Sequence, residues 1–387
     1  MTAKLCAQRV EGPHGLAALA DECTRLSRSM LPRSPFASSR WLQLWWRHFR
    51  EDRLLVHDQF YVHAVRDERG VLLGLAPLLF TERPANGPLR CRSVTFFGGD
   101  KNVTELRGLI CAPEHEAGVT RALLAHFEQR SDEWDWFSWN GVRRGSETHA
   151  VLSQTPHFEW QRELTDYVLP LPATWEEFRA SRSRNIKESL RKCYNSLKRA
   201  QHRFEFRVVT DAAQLPSAVE LFFELHRRRA RASLSVRHED VFASRSARRL
   251  LLDLAQTPSA GLRLCAFQLE IAGKVVACRL GFLLGAELYL YFSGFDPEWA
   301  AFSVMTTTVA EAIKWAIERG LTLVNLSPGT DVSKTRWGAT PVVNCEGVLI
   351  SPTRRARLAF GVIHELNERT RPGTLLGKVV NVARRHA

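Results

Sequence analysis

The sequence predicts an α/β protein with a mixed sheet (α+β), made of two similar halves joined by a basic helical segment. Three observations lead there: apolar periodicity alternates between two and 3.6 residues, one order of strands and helix occurs twice, and the charge is unequally divided. The 387 residues are 45% hydrophobic and 25% charged, an ordinary globular composition that excludes a disordered chain, a collagen-like repeat and a disulfide scaffold. At roughly 150 residues per domain the length fits two or three domains.

In the first half, strands are expected at Phe60–Val65 and Val71–Phe80 around the turn Asp67–Gly70, followed by a strand at Ser93–Phe97. Glu114–Arg130 carries Val119, Leu123, Leu124 and Phe127 on one helical face, and the aromatic-rich strand Trp134–Trp139 follows. In the second half, Leu262–Glu270, Lys274–Leu284 and Glu287–Ser293 form a meander, and Ser303–Arg319 reads as a helix with Met305, Val309, Ile313 and Ala316 on one side. Gly320 stands where a left-handed residue closes a helix, and Leu321–Leu326 is the next strand. Helical sequence precedes each meander, at Ala37–Phe49 and at Leu215–Ala232 and Val241–Ala255.

Between the halves, Ala173–Phe204 has an apolar stripe of Ile186, Leu190, Cys193, Leu197 and Phe204. From Arg179 onward, Arg182, Arg184, Lys187, Arg191, Lys192, Lys198, Arg199 and Arg203 are set against the lone Glu188. This pattern is a basic amphipathic helix. Residues 1–165 hold 21 Lys/Arg against 20 Asp/Glu, whereas 166–387 hold 33 against 21, so nearly all of the net +13 belongs to the second part. The expected division is 1–165, a connector at 166–204, a second domain at 205–350, and a basic tail at 351–387 containing Arg354, Arg355, Arg357, Lys378, Arg384 and Arg385.

The eight cysteines are scattered, with no C-x-x-C pair or zinc spacing, so free thiols in a reducing compartment and no metal are expected. No apolar window reaches the ~18 residues of a membrane span. The expected location is the cytoplasm, free or peripheral to the inner face of the membrane.

Several segments together resemble a known family. LHRRRA at Leu225–Ala230, LRLCAFQLEIAGKVVACRLGF, LYLYFSGFDPEWAAFS and GLTLVNLSPGTDVSKTRWG follow one another across residues 170–350. They resemble the cellulose-biosynthesis-associated CelD/BcsL-type acyltransferases, a branch of the GNAT superfamily close to the Fem-type aminoacyl transferases. His226 and Arg229 match that family's Leu-His-x-x-Arg segment. Lys334 and Trp337 match its Tyr-Lys-x-x-Trp element, with Ser333 in place of Tyr. The first half matches more loosely, through SPFASSRWLQLWW and LAPLLF. The resemblance implies tandem GNAT-like domains, the first degenerate, an acyl-CoA donor, acetyl or longer, and an amine or hydroxyl acceptor such as a small-molecule or lipid-linked sugar of an envelope or exopolysaccharide pathway. Contact with membrane-bound polysaccharide machinery is a corresponding expectation.

A GNAT site splays two strands, holds the donor carbonyl on a backbone N–H, and receives the pyrophosphate at a helix N-terminus. By position that helix begins at Phe302–Thr306. The family's loop there is Gln/Arg-x-x-Gly-x-Gly/Ala, whereas Glu298–Ser303 has no glycine, and Ser303-Val304-Met305 replaces the Ser-Pro-Gly of many relatives. Phe302, Ser303, Thr306 and Thr307 are the candidate cofactor-binding residues, with Thr308 a further hydroxyl. Ser303 reads equally as an N-cap.

Acyl transfer needs a proton acceptor, an oxyanion donor and a proton for the leaving thiolate. His226 is the candidate base, or a structural histidine. Asp296, in Phe295-Asp296-Pro297, is a second candidate, although Asp-Pro is ordinary turn chemistry. Lys334 is placed to neutralise a substrate phosphate or carboxylate, or is a solvated lysine, and Glu346 is a weak further base. Arg229, Arg279 and Trp337 are candidate substrate contacts. Arg279 lies in an apolar strand and is expected to form an ion pair, and Trp337 is expected to pack. The alternative functions are a noncatalytic scaffold and a protein that binds an anionic polymer or membrane surface. Nucleic acid is disfavoured, since no recognition motif accompanies the charge.

Overall fold

A computed structural model of the protein describes residues 5–84, 90–100, 102–232, 238–257, 259 and 261–369. The first half runs β1 (Cys6–Arg9), α1 (Gly12–Ala18), α2 (Ala20–Ser29), α3 (Ser39–Phe49), β2 (Asp52–Arg53), β3 (Val56–Phe60), β4 (His63–Arg66), β5 (Leu72–Ala76), β6 (Leu78–Arg83), β7 (Cys91–Phe96), β8 (Ile110–Cys111), α4 (Glu116–Glu128), β9 (Trp136–Arg143), α5 (Glu147–Ser153) and β10 (Phe158–Pro170). Two connector helices follow, α6 (Trp175–Ser181) and α7 (Arg184–Arg199). The second half runs β11 (Phe204–Val209), α8 (Leu215–Arg231), α9 (Arg245–Gln256), β12 (Arg263–Ile271), β13 (Lys274–Leu284), β14 (Glu287–Phe295), α10 (Val304–Glu318), β15 (Leu323–Asn325), α11 (Val332–Thr335), β16 (Thr340–Ile350) and α12 (Arg354–Arg369).

Local signals explain most of these boundaries. Ser38 caps α3 by accepting the Trp41 N–H at 3.2 Å, Thr174 caps α6, and Ser244 caps α9. Helix α10 ends in a Schellman arrangement: Gly320 at φ +68° donates to Ile317 O, and Leu321 donates to Ala316 O. Ala272 and Gly273, both with positive φ, make the tight turn between β12 and β13.

The first-half strands expected at Phe60–Val65 and Val71–Phe80 are each broken in two. Pro77 lacks a ladder N–H and sits at one break. The outer pieces β4 and β5 pair in a four-stranded sheet ordered β1-β4-β5-β8, while β3 and β6 join the main sheet. Phe204, assigned from its spacing to the helical stripe, is instead the first residue of β11, where it pairs with Ile271. Of the basic tail, α12 lies within the described residues; Lys378, Arg384 and Arg385 lie outside them.

The main sheet has twelve strands in the order β11-β12-β13-β14-β15-β10-β16-β9-β7-β6-β3-β2. The halves exchange strands at its centre: β10, which runs across residue 165, pairs with β15 and β16, and β16 pairs in turn with β9. One apolar cluster also spans both halves, with Phe36, Trp41 and Trp45 packed among Phe222, Leu250, Phe282, Tyr289 and Tyr291. Trp41 meets Phe282 edge-on at 5.9 Å, and Phe36 meets Tyr289 at 5.6 Å. On the other face of the second-half sheet, Ile186 and Leu190 of α7 pack with Ile313 and Ala316 of α10. The apolar stripe of the basic helix is therefore consumed inside the fold, and only its charged side faces water. Among the described residues no helix is long and apolar enough to cross a membrane, and no three His, Cys, Asp or Glu side chains stand together as a metal site.

Candidate active site

Strands β14 and β15 pair in parallel over only three rungs, Glu287↔Leu323 to Tyr289↔Asn325. Beyond Tyr289, β15 ends while β14 continues to Phe295, so the sheet opens between them. Strand β14 is also bulged. Its partners on β13 step from Arg279↔Ser293 to Gly281↔Leu290, three residues against two. Backbone polar groups of β14 thus border a gap instead of a neighbouring strand. Helix α8 is pressed onto the end of this strand, where a Cβ on Gly294 would lie 2.3 Å from the His226 nitrogen.

The opened end of β14 leads into α10. Ser303 precedes the helix in the left-handed region (φ +55°, ψ +38°) and makes no side-chain cap bond, so its expected capping role is not realised. Its carbonyl instead receives the N–H groups of Thr306 at 2.8 Å and Thr307 at 3.2 Å. A left-handed residue here is what glycine usually supplies, and Ser303 adopts that conformation at a steric cost. Arg336 donates from Nη2 to Thr306 Oγ1 at 2.6 Å. A guanidinium therefore stands at the positive end of a fifteen-residue helix whose first N–H groups lack intrahelical acceptors. Thr307 is fully buried, and Thr308 bonds back to Val304 O, so neither hydroxyl faces outward. Phe302 is half-buried beside Trp299 and His202.

A second polar cluster lies where the halves meet. The Tyr289 hydroxyl donates to Glu105 Oε2 at 2.9 Å, across 184 residues of sequence. Burial pushes the Glu105 carboxyl up to about 7, against the lowering influence of Lys334, the Tyr289 bond and Arg279, while Asp166 adds to the rise. Asp166 is held by Asn325 Nδ2 at 2.6 Å and by the Tyr167 N–H, and burial raises its pKa as well. Lys334 donates to the Pro328 carbonyl and lies 3.8 Å from Asp331. Burial depresses its pKa, partly offset by Glu105. Arg279 donates to Leu290 O at 3.2 Å, with its pKa lowered by burial to about 10. Arg229 binds Ser293 Oγ at 2.6 Å and His238 Nε2 at 2.7 Å. Arg229, Arg279 and Arg336 each keep a buried Nε with no hydrogen-bond partner among the described residues. Such donors are costly to leave unpaired.

Residues 182–335, the segment holding the opened strands and α10, match the family model described as Acetyltransferase (GNAT) domain. Over this segment the chain is similar to GNAT acetyltransferase domains. Among solved structures the chain is similar to FemX, at 12% identity over 89% of this chain and 98% of that one, with a TM-score of 0.59. It is also similar to the C-terminal DUF2156 domain of an Agrobacterium fabrum protein assigned as a lysylphosphatidylglycerol synthetase, at 12% identity over 91% and 96%, TM-score 0.51. A conserved Bacteroides thetaiotaomicron protein of unknown function matches at 14% identity over 86% and 97%, TM-score 0.50. No curated protein matches the chain.

The residues singled out in the sequence fall into three groups. Lys334, Arg229 and Arg279 surround the opening, and Lys334 is largely buried instead of solvated. Arg279 has no carboxylate within ion-pair distance among the described residues, so the expected ion pair is absent. Glu105 acts on it only at longer range. Thr306, Phe302 and Ser303 border the start of α10. His226 and Asp296 are tied up structurally. The His226 Nδ1–H donates to Ser293 O at 3.0 Å, and the ring is enclosed by Phe222, Phe242 and Phe292. Burial also lowers the pKa of this imidazole, opposed by its bond to Ser293. Asp296 is buried and held by Arg228 at 3.0 Å, Lys274 at 3.2 Å and the Glu298 N–H. Glu346 is paired with Arg162, and Trp337 is a core residue whose indole N–H bonds Ser333 O. Glu105, Tyr289, Asp166, Asn325 and Arg336 were not singled out. Only Arg336, two residues from Lys334, had a sequence neighbour that pointed to it.

Proposed function

We propose that the protein is an acyl-CoA-dependent N- or O-acyltransferase that acts on an envelope or exopolysaccharide precursor. The observation that carries this reading is the Arg336–Thr306 contact at the start of α10, next to the opened end of β14. A CoA pyrophosphate fits that place chemically: the positive helix end and a guanidinium whose buried Nε has no partner among the described residues converge there. The glycines that usually let the backbone approach phosphate are replaced by Ser303 in the left-handed conformation. With the donor so held, the thioester carbonyl enters between β14 and β15, where a β14 backbone N–H stabilises the developing oxyanion.

Lys334, Arg229 and Arg279 make the acceptor side cationic, suiting a phosphorylated or carboxylated acceptor such as a lipid-linked sugar. The motif resemblance to CelD/BcsL-type proteins points the same way. So does the name of the Agrobacterium relative, which implies a transfer onto an envelope lipid. In this reading residues 1–165 and 205–350 are the two GNAT-like units, 166–204 the connector and 351–387 a basic tail, and the enzyme works in the cytoplasm or at the inner membrane surface beside the polysaccharide machinery. Isothermal titration with acetyl-CoA and longer acyl-CoAs, followed by a thiol-release assay, tests the proposal. Binding of at least one acyl-CoA is expected, and absence of binding to all of them removes the CoA donor.

A further inference from the structure

We infer that Glu105, carried by the first half of the chain, takes the proton from the attacking acceptor in the site of the second half. The inference rests on the acyl-transfer reading above and adds the residue that performs its proton step.

The repeated order of elements shows how Glu105 reaches that place. In the first half the counterparts of β14 and β15 are β7 and β9, which also pair in parallel over three rungs, Ser93↔Trp136 to Thr95↔Ser138. Past those rungs the two halves differ. The first-half gap is filled by the chain's own backbone: a Cβ on Gly108 would lie 2.6 Å from Asn140 O, and one on Gly141, at φ +61°, 2.2 Å from Arg107 O. Two main chains pass in contact there. The described residues between Gly98 and Gly108 are clamped at several points. Asp100 accepts from the Thr104 N–H and hydroxyl and from the Trp45 indole at 2.7 Å. Arg107 bonds Gly98 O at 2.7 Å, and the Tyr291 hydroxyl bonds Val103 O. This clamp holds Glu105 against Tyr289, the last paired residue before the second-half gap opens. The loop that closes one cleft thus presents a carboxylate to the other.

The alternative bases are not placed to act. Asp296 is in ion pairs, Asp166 is sealed by Asn325 and Tyr167, and His226 is enclosed by phenylalanines. Glu105 is half-buried as a residue and is bonded to Tyr289 at the edge of the opening. The groups that face it are Tyr289, Lys334, Arg279 and Asp166, and the resulting balance raises its pKa to about 7, near where a general base works best. In the step, the acceptor N or O forms a bond to the thioester carbon and its proton passes to Glu105. The C–S bond then breaks, and the proton returns, directly or through water, to the CoA thiolate.

The test uses the full chain with acetyl-CoA as donor and water or glucosamine as acceptors, following thiol release. Glu105→Gln is expected to lower kcat at least about 100-fold while leaving the acetyl-CoA Kd within about twofold, and to abolish the rising limb of the pH–rate profile near 7. Glu105→Asp, which keeps the carboxylate, is expected to retain part of the rate, and Tyr289→Phe to shift the limb without removing it. A Gln variant with nearly full kcat, a parallel loss of acetyl-CoA binding, or a limb near 7 that survives the substitution would each overturn the inference. So would a wild-type protein that binds acetyl-CoA and releases no thiol to either acceptor. Failure to bind acetyl-CoA at all would instead overturn the donor reading.

Discussion

Arg336 Nη2 donates to Thr306 Oγ1 at 2.6 Å and so ties the segment after β15 to the first turn of α10. Its charge is half-buried and its Nε has no partner among the described residues. Arg336→Ala is expected to weaken acetyl-CoA binding by about tenfold or more, roughly 1.4 kcal/mol, the scale of one charge-assisted bond to an anion. Calorimetry checks this. An unchanged Kd would place the pyrophosphate elsewhere.

Ser303 holds a left-handed conformation without gaining a cap bond. Ser303→Gly removes the steric cost, roughly 1–2 kcal/mol for an L-residue, and adds unfolded-state entropy that offsets part of it. The expected net result is a stability gain of up to about 1 kcal/mol in urea denaturation, with acetyl-CoA binding kept or improved. A marked loss of stability would show that the Ser303 hydroxyl has a structural role.

Asp296 joins α8, β13 and the turn before α10 through Arg228, Lys274 and the Glu298 N–H. Its carboxylate is buried while its cationic partners are partly exposed, so Asp296→Ala is expected to cost on the order of 1–3 kcal/mol. The kcat of the folded protein should remain within a few fold. A selective loss of kcat at undiminished stability would return Asp296 to the list of bases.

His63 is fully buried in the first half, with Nδ1–H on Tyr61 O at 2.7 Å and Nε2 at 3.2 Å from His126 Nε2. Burial, then His126, lowers its pKa to about 3, and Arg9 and Arg130 add to the depression while the Tyr61 bond opposes it. The unfolded chain therefore binds this proton below about 6.5 and the folded one does not, so stability falls as pH drops from 6.5 towards 3. His63→Gln is expected to flatten the stability–pH curve between pH 4 and 6 by up to about 1.4 kcal/mol per pH unit. Denaturant titrations at several pH values read the slope, and an unchanged slope would mean that His63 is protonated in the fold.

Much of the second half was legible because its signals are local. The meander, helix α10 and its glycine stop come from periodicity and one residue's φ preference, and Lys334, Arg229 and Arg279 stand out through motif order and an odd charge in an apolar strand. The first half was read less well. Its strands split between two sheets at positions such as Pro77, and β1 and β10 have few uninterrupted apolar alternations. Glu105, in Gly98-Gly99-Asp100-Lys101-Asn102-Val103-Thr104-Glu105, looks like any solvated loop acid, because nothing near it in sequence announces Tyr289.

By itself the sequence determined which segments are strands and helices, that one order occurs twice, and that positive charge gathers in the second part. Alternation and capping act over a few residues, and composition needs no geometry. Only the tertiary structure decided that β10 and β16 are exchanged between the halves, that the Arg107–Gly108 backbone fills one gap while the other stays open, and that Glu105 meets Tyr289. A strand's pattern states which face it buries but not which strand lies beside it, so contacts made across 184 residues are fixed by the packing of the whole sheet.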